Sequence, residues 1–362
     1  SALAHVALAP WVGLWADAAP KARTMAWMNG LKAAAVLAML AGTPPLACFA
    51  VLGMASATYV PAKYGLVTEL VKPQTLVAAN AWIEISVVSA VLLGTALGGG
   101  LVSQAWQGLA EASLGRLGMP LGAESGLVMA LVIVLATYGT SALLNAGLPD
   151  SGARYAAGPA GLAAPLQAFW QDNRTLWRDR LGGLSLAVTT LFWGVGAILQ
   201  FAVLRWAQTV LQLPLSQAAL LQGAVAVGVV LGASVAGRCF RLAQAPRLLP
   251  VGIVLGLLIA LAAGVASPGA ALVMLALVGA VGGLLVVPMN ALLQHQGHTL
   301  LSAGRSIAVQ SFNENLGMGL MLGSYALLTA VDLPIVALLW GLGGTVALLM
   351  ARNVAACLLV TA

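Results

Sequence analysis

One helical plan occurs twice along these 362 residues, about 226 positions apart. Pro20 in Ala-Pro-Lys returns as Pro246 in Ala-Pro-Arg, and Pro61 after Val60 returns as Pro288 after Val287. Glu84 returns as Gln310, and Gly94-x-x-x-Gly98 as Gly319-x-x-x-Gly323. The four offsets are 226, 227, 226 and 225 residues. Constant spacing over so many landmarks is the mark of an internal repeat. It restricts the fold to two copies of one helical arrangement, the construction found in large secondary transporters.

Composition supplies the solvent for those helices. Hydrophobic residues make up 61% of the chain and charged residues 7%, whereas a soluble domain carries roughly a quarter charged residues. A span takes about 20 mostly apolar residues, and eleven stretches qualify, near 1–16, 24–41, 45–62, 76–103, 126–148, 181–211, 216–237, 247–266, 269–293, 302–330 and 333–360. The expected fold is an all-α membrane protein of two bundles, 1–149 and 181–362, joined by a linker at 150–180. Subtracting the repeat offset from the helix near 181–211 puts its counterpart before Ser1. The chain is therefore expected to lack the first of twelve helices. In each copy the landmark proline, Pro61 or Pro288, is expected to stand at the end of an apolar helix and open a polar stretch.

Cations alternate from loop to loop. Lys21 and Arg23, then Lys63 and Lys72, then Arg154, Arg174, Arg178 and Arg180, then Arg238, Arg241 and Arg247 share one side, while the intervening loops carry Arg116 with Glu111, Glu124 and Asp332. The positive-inside rule makes the basic side cytoplasmic, so the net charge of +6 sets topology and implies no nucleic-acid partner. The linker is polar and interrupted by Pro159 and Pro165; Trp170, Trp177 and the arginines beside them predict an amphipathic surface helix in its second half. Gly94/Gly98, Gly228/Gly232 and Gly319/Gly323 have the spacing that lets helix backbones meet closely. Cys48, Cys239 and Cys357 lack the spacing of a disulfide framework or a metal knuckle. His295 and His298 have no third ligand, so no metal or cofactor is expected.

An ionisable side chain at mid-membrane depth costs about 2.5–3.5 kcal/mol on insertion scales, which makes Lys32, Glu84, Arg205 and Glu314 candidates for function. Asn29, Asn80 and Gln310 lie three or four residues before Lys32, Glu84 and Glu314, on the same helical stripes. Asn313-Glu314-Asn315 is too polar for a lipid-facing surface. The repeat sets the Glu84 carboxylate opposite the Gln310 amide, so a central wetted cavity is expected. Glu84 or Glu314 suits an ammonium there, and Lys32 or Arg205 a phosphate. His5, His295 and His298 all fall outside this set, leaving a membrane acyltransferase without its base. The chain reads as a carrier, not an enzyme.

Gly13-Leu14-Trp15-Ala16-Asp17, followed by Lys21 and Arg23, resembles the loop between helices two and three of the major facilitator superfamily. The resemblance implies that Asp17, Lys21 and Arg23, with Lys63, form cytoplasmic gate and loop contacts. Asn29-Gly30-Leu31-Lys32, Pro61-Ala62-Lys63-Tyr64-Gly65, Leu191-Phe192-Trp193-Gly194, Val286-Val287-Pro288-Met289-Asn290-Ala291-Leu292-Leu293-Gln294 and Ala308-Val309-Gln310 through Glu314-Asn315 are similar to the bacterial lysophospholipid transporters of that superfamily. This implies a monomeric flippase of the bacterial inner membrane that carries lysophosphatidylethanolamine and lysophosphatidylglycerol inward. A partner acyltransferase/acyl-carrier-protein synthetase would re-acylate them. Gln200 stands where the resemblance would place an arginine, and Arg205 follows more than a turn later. Gln200 and Asn290 complete the expected polar path. The alternative within the same architecture is a drug or metabolite antiporter.

Overall fold

The computed structural model describes residues 2–116, 125–155 and 163–358; Glu124 and Pro159 lie outside them. All eleven apolar stretches are helices: α1 (Ala2–Ala18), α2 (Lys21–Leu40), α3 (Pro45–Leu70), α4 (Leu76–Leu101), α6 (Ser125–Ala146), α8 (Arg180–Thr209), α9 (Leu215–Cys239), α10 (Leu249–Ala262), α11 (Pro268–Leu300), α12 (Ala303–Ala330) and α13 (Ile335–Leu358). Eight of these are long and apolar enough to cross a membrane, α10 when taken with the 3-10 helix Leu242–Leu248 that leads into it. The other three are α1, with 17 residues, and α2 and α12, which carry the polar stripes. Two further helices lie between spans. The short α5 (Gln104–Arg116) was not expected, and α7 (Ala163–Arg178) is the amphipathic linker helix.

Pro61 and Pro288 fall inside helices, which corrects the expectation that each closes one. α3 runs on to Leu70 and α11 to Leu300. Each proline removes one backbone N–H and frees one carbonyl a turn earlier, a defect that membrane helices tolerate because neighbouring groups satisfy the freed carbonyl. Elsewhere the ends follow capping chemistry. The Asp179 side chain accepts from the Gly182 N–H at 2.7 Å to start α8, and Ser267 accepts from the Ala270 N–H ahead of α11, whose first residue is Pro268.

The chain forms two compact units. One comprises Ser1–Glu69, Ser89–Phe169 and Ala303–Ala308, and the other Leu70–Val88, Trp170–Ser302 and Val309–Ala362. In the first, α2 packs on α6 and α1, and α5 on α6. In the second, α11 is central, lying against α8, α9 and α10, while α13 packs on α10 and α8. Its core includes Trp206, Leu221, Ile259, Leu285 and Met289, all almost fully buried.

The paired glycines divide. On α9, Cβ atoms at Gly228 and Gly232 would fall on the backbone of Ala276 and Ala280; on α11, those at Gly279 and Gly283 would fall on Val225 and Val229. Two small-residue ridges thus interlock, and dispersion contact between backbones replaces the hydrophobic drive that lipid cannot supply. Gly94/Gly98 and Gly319/Gly323 have no neighbouring atom within 4 Å of the Cβ position. Their spacing allows a close contact, but no helix among the described residues makes one.

Candidate functional site

The ionic centre of the first unit is built on Lys21. Pro20 separates α1 from α2 and leaves Lys21 at the first position of α2, four residues beyond Asp17. Its ammonium lies 3.0 Å from Asp17 Oδ1 and 2.6 Å from Glu69 Oε1, with all three side chains no more than 6% exposed. Asp17 Oδ1 also accepts from the Gly304 N–H at 3.0 Å, at the N-terminal end of α12. Gly13 and Gly304 make the approach possible, since a Cβ on Gly304 would meet Asp17 Oδ1 at 2.6 Å and one on Gly13 would meet Arg305 Cα at 2.9 Å. Glu69 is further held by the Tyr155 hydroxyl at 2.7 Å and the Ser151 hydroxyl at 2.5 Å. Burial, then the bond to Glu69, pushes the Tyr155 phenol up, so it remains a neutral donor at physiological pH.

Arg23 and Lys63, expected in the same set, are placed elsewhere. Arg23 is exposed and acts electrostatically on Asp150, whose carboxyl is held at about 2, chiefly by its hydrogen bond from Arg154. Lys63 is half-buried, its ammonium 4.9 Å from the Tyr64 ring.

Lys32 is 8% exposed, with its ammonium 4.5 Å from the Tyr59 ring centroid and 5.8 Å from that of Tyr138. Ring faces solvate a cation when desolvated, and this replaces the carboxylate that a buried lysine would otherwise need. Lys63 is close enough to act on it electrostatically. Asn29, buried one turn earlier on α2, shares the stripe.

The second unit gathers the amides. Asn80 and Gln294 form a reciprocal carboxamide pair at 2.8 and 2.9 Å, buried between α4 and α11. Asn290 Oδ1 and Glu314 Oε1 both accept from Gln310 Nε2, at 3.1 and 2.8 Å. The Thr189 hydroxyl of α8 donates to the Leu186 carbonyl at 3.2 Å, and Thr189 and Glu84 both act electrostatically on Glu314. Asn313 turns to the linker helix instead: it donates to Asn173 at 2.8 Å and accepts from Trp177 Nε1 at 3.0 Å. Gln200 is exposed, its backbone carbonyl accepting from the Gln222 side chain. Arg205 is half-buried on the same helix, α8.

Glu69, Tyr155, Tyr59, Tyr138, Thr189 and Gln294 were absent from the sequence-derived set. Glu69 sits near a helix end, where a carboxylate reads as solvated, and its lysine is 48 positions away. Gln294 had a signal, because it closes the Val286–Gln294 segment. The Asn80–Gln294 pair yields a direct expectation. Asn80→Leu leaves both polar ends of Gln294 without their partner and should destabilise the protein by about 1–3 kcal/mol. Adding Gln294→Met should recover part of the fall in thermal midpoint; equal midpoints for the single and double variants would refute the pairing.

Comparison with known proteins places these features in a lineage. The family model described as Major Facilitator Superfamily matches residues 1–322. The lysophospholipid transporter LplT of Yersinia enterocolitica serotype O:8 / biotype 1B is 36% identical over 334 residues, covering 92% of this chain and 78% of that protein. The transporter of the same name from Yersinia pestis (strain Pestoides F) is 35% identical over 338 residues, covering 92% and 77%. Among solved structures, a bacterial homologue of the iron transporter ferroportin in an outward-facing state aligns with a TM-score of 0.69 at 15% identity, covering 98% of this chain and 87% of that one. The E. coli fucose:proton symporter FucP aligns with a TM-score of 0.70 at 15% identity, covering 97% and 88%. At that identity the solved structures speak for the fold alone.

Proposed function

The chain belongs to the major facilitator superfamily, and from that membership we propose that it is a lysophospholipid flippase. It moves lysophosphatidylethanolamine and lysophosphatidylglycerol from the outer to the inner leaflet of a bacterial inner membrane, where a partner acyltransferase/acyl-carrier-protein synthetase re-acylates them. The observation that carries this reading is 36% identity to a lysophospholipid transporter sustained over 92% of the chain.

The polar inventory supports it. A lysolipid has one headgroup and one acyl chain, so only the head needs polar contacts while the chain stays in apolar surroundings. Lys32, with its tyrosine faces, offers a cation for the phosphate. Glu84 and Glu314 offer carboxylates for an ethanolamine ammonium. Asn29 on α2, Asn290 on α11 and Gln310 on α12 supply neutral hydrogen bonds. Asp17, Lys21 and Glu69 serve as a cytoplasmic gate, with the Gly304 N–H as its latch. The two helical bundles of a monomer, 1–149 and 181–362, divided by the linker at 150–180, are the working units of alternating access or lateral sliding.

The test is uptake into spheroplasts lacking their own lysophospholipid transporter. Expression of this chain should restore re-acylation of added lysophosphatidylethanolamine; proton-coupled export of small amphiphiles without such uptake would assign it to the antiporters. Glu84→Gln refines the result. The lost charge can pair only with an ammonium, so transport of lysophosphatidylethanolamine should fall several-fold more than that of lysophosphatidylglycerol, on the order of the tenfold that 1.4 kcal/mol represents. Equal loss for both headgroups would make Glu84 structural.

A further inference from the structure

We propose that the outward face of α7 is a docking surface for anionic phospholipid headgroups of the leaflet on the basic side of the membrane, the cytoplasmic one by the positive-inside rule. Trp170, Arg174, Trp177 and Arg178 form it, with Arg180 at the start of α8. The partner is bilayer lipid and not cargo, so this goes beyond the reading above and does not rest on it.

Position comes first. α7 ends at Arg178, and α8, long and apolar enough to span a membrane, begins at Arg180. The single residue between them, Asp179, is extended, with φ −66° and ψ 136°, so the two helices do not share an axis. The corner is tight. A Cβ on Gly183 would meet the Trp177 carbonyl oxygen at 2.5 Å, and one on Gly182 the Leu176 carbonyl oxygen at 3.1 Å. α7 therefore departs from α8 where that span begins, at the polar boundary of the bilayer.

The helix is held from its inner side. Phe169, Asp172 and Leu176, at intervals of three and four residues, are at most 6% exposed. Asn173 and Trp177 both hydrogen-bond Asn313 of α12, at 2.8 and 3.0 Å, and the Trp170 ring meets Phe312 edge-on with centroids 5.6 Å apart. These contacts fix which face is turned outward. There the Trp170 side chain remains 51% exposed and Trp177 42% exposed, and Arg174, Arg178 and Arg180 are exposed beside them.

Charge names the occupant. No acidic side chain is exposed from Ala163 to Arg180, because Asp172 is buried and Asp179 caps α8. Arg174 and Arg178 make no ion pair among the described residues, and Arg180 places one N–H on the Cys357 carbonyl at 3.1 Å. Clustered cations immediately outside a span attract anionic lipid. Their aliphatic stems can lie along apolar surface while the guanidinium reaches the phosphates. The two indoles between them suit the headgroup level, which is apolar at one end and wet at the other. A soluble anion would use the guanidiniums and leave both indoles in water; a lipid covers them.

The test follows thermal unfolding of the full chain in neutral-detergent micelles as phosphatidylglycerol or phosphatidylcholine is added. Phosphatidylglycerol should raise the midpoint saturably and above the phosphatidylcholine response, and the excess should shrink as salt is raised. Arg174→Gln combined with Arg178→Gln should leave the lipid-free midpoint unchanged and raise the half-saturating phosphatidylglycerol concentration about fivefold for each arginine lost. In vesicles, phosphatidylglycerol with a photoreactive headgroup should label the segment 163–180. Equal responses to the two lipids overturn the proposal, as does a phosphatidylglycerol response unchanged in the double variant. Inorganic phosphate that reproduced the rise without lipid would make this a soluble-anion site and overturn it too. Should the double variant be unstable before lipid is added, labelling of the parent decides, and label found only outside 163–180 overturns the proposal. Neither arm involves lysolipid uptake, so failure of that activity would leave the surface standing.

Discussion

Lys21→Met should be the most damaging single change in the first unit, lowering stability by about 3–5 kcal/mol, the cost of breaking a buried ion pair from one side. The substitution removes the ammonium that bridges Asp17 and Glu69, and both carboxylates are at most 6% exposed. Tyr155 and Ser151 still donate to Glu69, and the Gly304 N–H to Asp17, but these neutral dipoles do not replace the ammonium shared by two buried carboxylates. The expected readout is a large fall in thermal midpoint in detergent, with less protein reaching the membrane. Adding Glu69→Gln should restore part of the loss, because the amide oxygen can still accept from Tyr155 while one buried charge disappears. Groups in one network are not additive, so the double variant should be more stable than the sum of its single changes. Lys72→Met, at an exposed position, provides the control. If it were as damaging as Lys21→Met, the buried centre would not be the cause.

The second large effect is expected at Gly232→Val. A Cβ there would overlap the Ala280 carbonyl, which belongs to backbone and cannot rotate away. α9 and α11 would have to separate along their whole ridge. Overpacking costs about 1–3 kcal/mol where side chains can adjust, and this site lies at or above the upper end because they cannot. Loss of a monodisperse peak in size-exclusion chromatography, with a lowered midpoint, should report it. Gly94→Val is the comparison, since no atom lies within 4 Å of its Cβ position. It should leave both measurements near those of the parent protein. A midpoint lowered equally by the two would show that backbone crowding is not what distinguishes them.

These two glycines also show how far sequence reading reaches. Gly94-x-x-x-Gly98 and Gly228-x-x-x-Gly232 have the same spacing, and spacing states only that a helix has a small-residue face. Contact depends on whether another helix brings its own small face to the same height. The second pair meets Ala276 and Ala280; the first meets nothing among the described residues. Prolines behave similarly. Pro61 and Pro288 were legible as repeat landmarks, but whether a helix ends or continues at a proline depends on what satisfies the freed carbonyl.

The candidate site was legible in part. Asp17 and Lys21 are four residues apart, and Gln310 and Glu314 likewise, so helical periodicity alone puts each pair within reach. Glu69 with Lys21, Asn80 with Gln294, and Asn313 with Asn173 and Trp177 are partners across 48, 214, 140 and 136 positions. No local rule relates such residues. Asn313 is instructive, because its polarity marked it for the polar path whereas its side chain is hydrogen-bonded to the linker helix.

The sequence by itself determined the solvent, the number and order of the apolar helices, the repeat and the family, because each depends on composition, period or motif along one chain. Only the tertiary structure decided which polar groups neutralise one another and which are left over. That decision rests on distances of a few ångströms between helices remote in sequence, and hydrogen bonds and ion pairs in a low-dielectric interior are selected at that scale. Lys21 is held between two carboxylates, Lys32 lies against tyrosine faces, and the Gln310 carbonyl receives no hydrogen bond among the described residues.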